Sequence, residues 1–273
     1  KRLKIPVFHL EAGNRCYDPN VPEEINRRIV DHISDVQLPY TEHSRLHLLA
    51  EGAAWDHVFV IGSPMREVMG KHRAKIDAST ILQQLEIRSG EYLLVSAHRE
   101  ENIDDEDHFL SIMNTINRLA ERYDRDIVFS AHPRSWNRIE ERGFVFHPLV
   151  RQLRPFGFAD YVKLQKNAFC VLSDSGTLPE EAALLGMPAV LLRTSTDRPE
   201  AVDKGVVILA GIRERDIIQA VELARAMWDS GETNPLPPDY KDVNVSVKVV
   251  KIIQSYTKVI DESVWRKEGS SFA

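Results

Sequence analysis

Apolar residues along this chain fall in short runs separated by polar stretches of helix length. "KIPVFHLEAG" (4–13) predicts a buried strand, and "VPEEINRRIVDHISDV" (21–36) follows with Ile25, Ile29, Val30 and Ile33 at helical spacing, acids early and arginines later. "DVQLPYT" (35–41) and "DHVFVIGSP" (56–64) predict further strands with a helix between them. From residue 91 the alternation becomes regular. Apolar runs occur at Tyr92–Val95, Ile127–Phe129, Phe169–Leu172, Ala189–Leu192 and Val206–Leu209, with helical patterns between several of them. The clearest of these helices carries Phe109, Ile112, Ile116, Leu119 and Tyr123, spaced 3, 4, 3 and 4. Such alternation predicts an α/β protein with parallel, doubly wound sheets. "NPLPPDY" (234–240) reads as a loop, and Val247, Val250, Ile253 and Ile260 mark one face of a C-terminal helix.

The residues after each apolar run are the informative part. "YLLV" runs into Ser96-Ala97-His98-Arg99-Glu100, "IVF" into Ser130-Ala131-His132-Pro133, "FCVL" into Ser173-Asp174-Ser175-Gly176, and "AVLL" into Arg193. Ligands of open parallel sheets sit outside the carboxyl ends of the strands, so a row of polar strand ends argues for a site.

Bulk properties narrow the ligand. The 273 residues carry a formal net charge of −6, with no basic excess of the kind nucleic-acid binding needs. Any anionic ligand must be held by a local cluster of donors. Cys16 and Cys170 lie far apart, which argues against a disulfide framework or a cysteine-rich zinc site and fits a reducing, cytoplasmic compartment. No run approaches the length of a membrane span. The chain opens on Lys1 and enters a strand by residue 5, so the front of a first domain is expected to precede it.

Candidate chemistry concentrates at two places. In "SDSGTLPEEAALLGMP" (173–188) the amides of Ser175, Gly176 and Thr177 are expected to face outward at a helix start opened by Pro179. Glu181, one turn inside, suits a carboxylate that accepts from both hydroxyls of a ribose. A Ser/Thr-capped helix with acids in its first turn fits the same residues. Arg193 and Arg198 after the next strand suit directed phosphate binding, and also suit an ordinary surface. Near the front, Glu11 ends the first strand and Glu23 opens the next helix behind Pro22, a common way to build an acid–base pair. Pro-Glu-Glu also begins ordinary helices, whereas a charge directly after "PVFHL" needs a partner or a task. No metal is expected. The acids of "NIDDED" precede an amphipathic helix and fit its capped first turn, and the His98–His108 gap is no ligand spacing.

Taken together, "HLEAGNRC" (9–16), "VPEEINR" (21–27), "SAHRE" (96–100), "AHP" (131–133), "SDSGTLPEEAALLGMP" (173–188) and "RPEAV" (198–202) resemble the non-hydrolysing UDP-N-acetylglucosamine 2-epimerase family, in family order over nearly the whole chain. The resemblance implies two Rossmann-like domains of the glycosyltransferase-B type with the site in the cleft. It implies residues 1–62 as a remnant of a truncated first domain, 63–245 as the nucleotide-binding domain, and 246–273 as a helix returning to the first. It also implies a UDP-sugar substrate, no cofactor and a homodimer. Residue by residue, Glu11 and Glu23 match the family's catalytic acids and His98 its histidine near the diphosphate. Arg27, His132, Ser175, Gly176, Thr177, Glu181 and Arg198 match UDP contacts, with Glu181 on the ribose. Asn14-Arg15-Cys16 is closer to the branch that epimerises a 6-deoxy sugar on the way to UDP-N-acetyl-L-fucosamine. Two other readings share these motifs: a UDP-sugar glycosyltransferase of the same fold, and an inactive UDP-binding fragment.

Overall fold

The computed structural model describes residues 1–231 and 235–267. Asn234 of the expected loop and the last six residues of the expected 246–273 segment lie outside the described residues. The chain divides into two compact units. Unit 1 comprises Lys1–Val68, Asp197–Glu200 and the chain from Pro237; unit 2 comprises Met69–Thr196 and Ala201–Leu236. The sequence places a boundary at residue 62; unit 1 runs on to Val68 and includes four residues around Arg198.

Unit 1 opens with β1 (Phe8–Leu10), α1 (Pro22–Ile33), β2 (Val36–Leu38) and α2 (Glu42–Ala50), and α3 (Met65–Ala78) leads onward. Then come α4 (Ile81–Gln84), β3 (Tyr92–Ser96), α5 (Glu100–Ile103), α6 (Glu106–Tyr123), β4 (Asp126–Ser130), α7 (Pro133–Arg142), β5 (Val150–Leu153) and α8 (Phe158–Asn167). They are followed by β6 (Cys170–Ser173), α9 (Leu178–Leu185), β7 (Ala189–Leu191), α10 (Pro199–Asp203), β8 (Ile208–Leu209) and α11 (Glu214–Asp229). Unit 1 closes with α12 (Val245–Ser263).

The sheet of unit 2 is wholly parallel in the order β5-β4-β3-β6-β7-β8. Counted from β3, this is the 3-2-1-4-5-6 order of dinucleotide-binding folds, with its switch point between β3 and β6. Its inner strands are apolar along most of their length because both faces are covered. Leu93, Val95, Ile127, Phe129, Cys170 and Leu172 join the core beneath α6 and α11, while Tyr92, Leu94, Val128, Val171 and Leu191 join the core on the opposite face. Along α6 the expected stripe is buried at Phe109, Ile112, Ile116 and Leu119. Asp105 caps that helix by accepting from the His108 amide at 2.9 Å, which places "NIDDED" as the sequence predicts.

Several expectations are corrected. Residues 56–64 form no regular strand: a short 3-10 turn at Trp55–His57 leads into a stretch beside β2. There the Phe59 and Ile61 amides donate to Gln37 and Pro39, each at 2.9 Å. Pro39 has no N–H for the intervening rung, so the ladder cannot continue. Conversely, β5 escapes the pattern because this edge strand carries Arg151 and Gln152 and no residue in it is fully buried. α12 forms, but Val247 and Val250 are exposed. Val245, Val249, Ile252, Tyr256 and Ile260 pack against Val36, Leu38 and Ile61 instead. Their spacing of 4, 3, 4 and 4 stays on one face, whereas a run of threes drifts around the helix. In α1 the stripe of Ile25, Ile29 and Ile33 is exposed, and the buried side is polar, with Glu24 and Asp31. Among the described residues no helix is long and apolar enough to cross a membrane.

Candidate functional site

In unit 1 the loop after β1 is built around buried charge. Glu11 adopts the left-handed conformation at φ 63°, a strained state for a residue with a Cβ. Two residues on, Gly13 has φ +76°, and a Cβ there would sit 2.2 Å from the Ser44 carbonyl oxygen. Only glycine fits at that approach. Arg15 is fully enclosed, donating to Asp31 at 2.7 Å, to Glu51 at 2.6 Å and to the Asn14 carbonyl at 2.9 Å. Burial opposes the charge of Arg15, but bonds to Glu51 and Asp31 outweigh it and hold the guanidinium above its ordinary pKa. Asp31 also accepts from the Gly13 amide at 3.2 Å and contacts His9 Nδ1 at 2.6 Å. Burial pushes Asp31 up, yet His9 and Arg15 together hold it below the usual carboxylate value. The loop is therefore pinned from beneath by an ion network, alongside a small apolar cluster of Ala12, Leu48 and Val58.

On this base the Glu11 side chain stays partly exposed. Its Oε1 accepts from Arg198 Nη2 at 2.8 Å and Asn14 Nδ2 at 3.0 Å, with Arg27 Nη2 at 3.4 Å. Asn14 is oriented in turn by the Ser44 hydroxyl at 2.7 Å. Arg27 and Arg198 also share Asp197, at 2.9 and 2.8 Å. Three site residues expected from the sequence, Glu11, Arg27 and Arg198, are thus brought together, and the sequence missed Asn14 and Asp197. Glu23 stands exposed in the first turn of α1, and among the described residues no hydrogen bond or ion pair joins it to Glu11. Its neighbour Glu24 is the buried member of the pair, accepting from the Cys16 amide at 2.9 Å and from Arg28.

In unit 2 the carboxyl ends of β3, β4 and β6 form a polar rim. His98 follows β3, and its ring centroid lies 5.9 Å from that of His132, the residue that caps α7 after β4. After β6 the loop is internally bonded. The Ser175 amide donates to the Ser173 hydroxyl at 3.1 Å, and the Thr177 amide to the Ser175 hydroxyl at 3.4 Å. Two of the three amides expected to face outward are therefore engaged within the loop. α9 begins at Leu178, and its N-cap Thr177 makes no capping bond. The Thr177 hydroxyl donates instead to Glu181 Oε1 at 3.0 Å, while Gln165 Nε2 donates to Oε2 at 2.5 Å. Burial pushes the Glu181 carboxyl above its ordinary pKa, with Gln165 and Thr177 opposing. Gln165 comes from α8 and gives no local signal; only the fold places it under Glu181. Arg193, after β7, is buried rather than on the surface.

The chain as a whole has known counterparts. The family model described as UDP-N-acetylglucosamine 2-epimerase matches residues 1–254. The UDP-N-acetylglucosamine 2-epimerase of Methanocaldococcus jannaschii is 36% identical over 230 residues, covering 81% of this chain and 63% of that protein. The chain therefore spans less than two thirds of that relative's length. Among solved structures, a UDP-N-acetylglucosamine 2-epimerase from Rickettsia bellii is 42% identical, with TM-score 0.88 over 97% of this chain and 71% of that one. The M. jannaschii enzyme, solved in complex with UDP-GlcNAc and UDP, is 32% identical with TM-score 0.85 over 93% of this chain and 70% of its own. With its sheet, its motifs and nearly its whole length matched in order, the chain belongs to the UDP-N-acetylglucosamine 2-epimerase family.

Proposed function

We propose that the protein inverts C2 of a UDP-linked 2-acetamido sugar without net hydrolysis. A base withdraws the C2 proton as the C1–O bond to UDP breaks, giving a 2-acetamidoglycal and UDP. UDP then adds back at C1 after a proton returns to the opposite face of C2. The C2 hydrogen is barely acidic, so the base must be closely positioned and the departing diphosphate met by preorganised donors. In this reading Glu11 and Glu23 handle the proton, and His98 faces the diphosphate. Arg27, His132, Ser175, Gly176, Thr177 and Arg198 contact UDP, and Glu181 takes the ribose. The substrate is UDP-GlcNAc, giving UDP-ManNAc, or a 6-deoxy UDP-HexNAc toward UDP-FucNAc, and the product feeds surface polysaccharide synthesis. The protein works in the cytoplasm as a homodimer.

One observation supports this most directly: among the described residues the hydrogen-bond donors to Glu11 all land on Oε1, which leaves Oε2 of a strained, partly exposed carboxylate to exchange a proton. A glycosyltransferase of the same fold has no need for Glu11 and Glu23 together. Incubation in deuterated water with UDP-GlcNAc and its 6-deoxy analogue tests the reading. Deuterium should appear at C2, and Glu11→Gln should slow its entry by about 10²–10⁴-fold with UDP still bound. Absence of C2 deuterium with any UDP-HexNAc would sink it.

A further inference from the structure

At the switch point of the unit 2 sheet, β3 and β6 run side by side with Ser96 opposite Ser173. The next residue after β6, Asp174, is completely buried. Its Oδ2 accepts from the His98 amide at 2.9 Å, the Arg99 amide at 2.9 Å and Asn102 Nδ2 at 3.0 Å. Its amide donates to the Ser96 carbonyl at 3.2 Å, and its carbonyl accepts from Arg99 Nε at 2.9 Å. Asn102 continues to the Leu192 carbonyl at 3.0 Å, just past β7. One carboxylate therefore ties together the ends of three strands.

The other oxygen of Asp174 is the telling one. Oδ1 is buried and has no aligned hydrogen-bond partner among the described residues; it makes an ion-pair contact with His98 Nδ1 at 3.0 Å. A buried carboxylate oxygen without a donor is expensive, so the proton of His98 belongs on Nδ1. The Asp174 contact raises the imidazole above its ordinary pKa; burial and Arg99 oppose, and Glu101 adds.

We propose that Asp174 is the positioning residue of this rim, fixing the ring of His98 with a proton on Nδ1 and favouring the doubly protonated ring, whose Nε2–H donates to an anionic ligand. The ligand assignment rests on reading His98 as a diphosphate contact; the positioning does not. A merely structural Asp174 would need only its three Oδ2 bonds.

The test uses ¹⁵N-histidine-labelled protein and long-range ¹H–¹⁵N correlation, with the His98 signals assigned by their loss in His98→Gln. The neutral ring should carry its proton on Nδ1, and its titration midpoint should lie above that of the exposed histidines. Asp174→Asn keeps an acceptor for the three Oδ2 donors but turns an N–H toward the ring. It should move the proton to Nε2 and weaken proton affinity at least about tenfold. Asn102→Ala, which loosens the loop but leaves Asp174, should leave tautomer and midpoint unchanged. A native ring protonated on Nε2, or an unchanged midpoint in Asp174→Asn, would overturn the proposal. The native measurement decides even if Asp174→Asn does not fold. Native protein that shows the expected tautomer yet fails to bind UDP would refute the diphosphate reading alone.

Discussion

Glu11, in the loop after β1, and Glu181, in the first turn of α9, are both carboxylates near a strand end, yet the two units hold them in opposite ways. Glu11 is partly exposed, and two guanidinium groups offset its charge from one side. Glu181 is buried, and its neighbours Gln165 and Thr177 are neutral. The first arrangement suits a group that must carry charge while exchanging a proton. The second suits one that grips neutral hydroxyls, since burial makes an unpaired charge costly and a hydroxyl pair welcome. The same contrast runs through the units beneath them. Unit 1 supports its loop with Arg15, Asp31 and Glu51, and unit 2 supports its rim with amides, hydroxyls and a single buried aspartate.

If unit 1 depends on charge pairing, removing one partner should be severe. Arg15→Met leaves Asp31 and Glu51 without the cation they share, and breaking a buried pair costs about 3–5 kcal/mol. Hydrogen exchange should show the amides of β1 and β2 opening at much lower denaturant while those of β3 and β6 keep their protection. Equal loss of protection in both units would break the comparison.

Glu181→Gln sharpens it from the other side, because function and stability should move apart. Loss of a charged acceptor should weaken UDP by about 1.5–3 kcal/mol, roughly tenfold to a hundredfold. Against 2′-deoxy-UDP the variant should lose much less. Stability follows the opposite course. The folded pKa of Glu181 lies above its unfolded value of about 4.3, so the native state holds this proton more tightly. Stability from this group is complete below the unfolded value and falls as pH rises through the folded one. Gln removes that loss, so chemical denaturation at pH 7 should find the variant at least as stable as the parent. A clear destabilisation would show that the carboxylate is structural.

Asp174 and His98 give a smaller, two-sided effect. The folded pKa of His98 is raised, so its contribution is present below about 6.5 and lost as pH rises through the folded value. Burial pushes Asp174 up, but His98, the Arg99 amide and Asn102 together hold it low. Its contribution is present above about 3.9 and lost as pH falls through its folded value. The stability of unit 2, followed through the β3 amides, should therefore gain a step at each end that Asp174→Asn removes.

Much of this was legible in the chain because parallel strands buried on both faces must be apolar, and their ends must not be. That logic located His98, Ser175 and Glu181, and it located Glu11 as a charge directly after an apolar run. The same signal is present at Asp174, which follows "FCVLS" beside the more conspicuous glycine loop. Gln165, Asn14 and Asp197 carried no such mark. Each acts through a partner distant in sequence or through a side-chain direction that only packing fixes. The acid pair "PEE" shows the limit most clearly. Helical phase decides which carboxylate turns inward, and Glu24 does so while Glu23 faces solvent.

The two cysteines offer the mildest test, one in each unit and neither in a disulfide. Burial raises the Cys170 thiol to about 12, with Arg225 opposing. Burial also raises Cys16, whose thiol lies 3.5 Å from the Glu24 carboxylate. Thiolate is the reactive form, so both should be nearly inert to a disulfide reagent at pH 8 in the folded protein. Labelling then reports local opening rather than intrinsic reactivity. In the parent both should react slowly. In Arg15→Met, Cys16 should react several-fold faster while Cys170 keeps its parental rate, because the loop that shelters Cys16 hangs on the ion network and β6 does not. Acceleration of Cys170 to the same degree would mean that the buried arginine stabilises the whole chain, and that the contrast between a charged unit and a hydrogen-bonded one is only a matter of appearance.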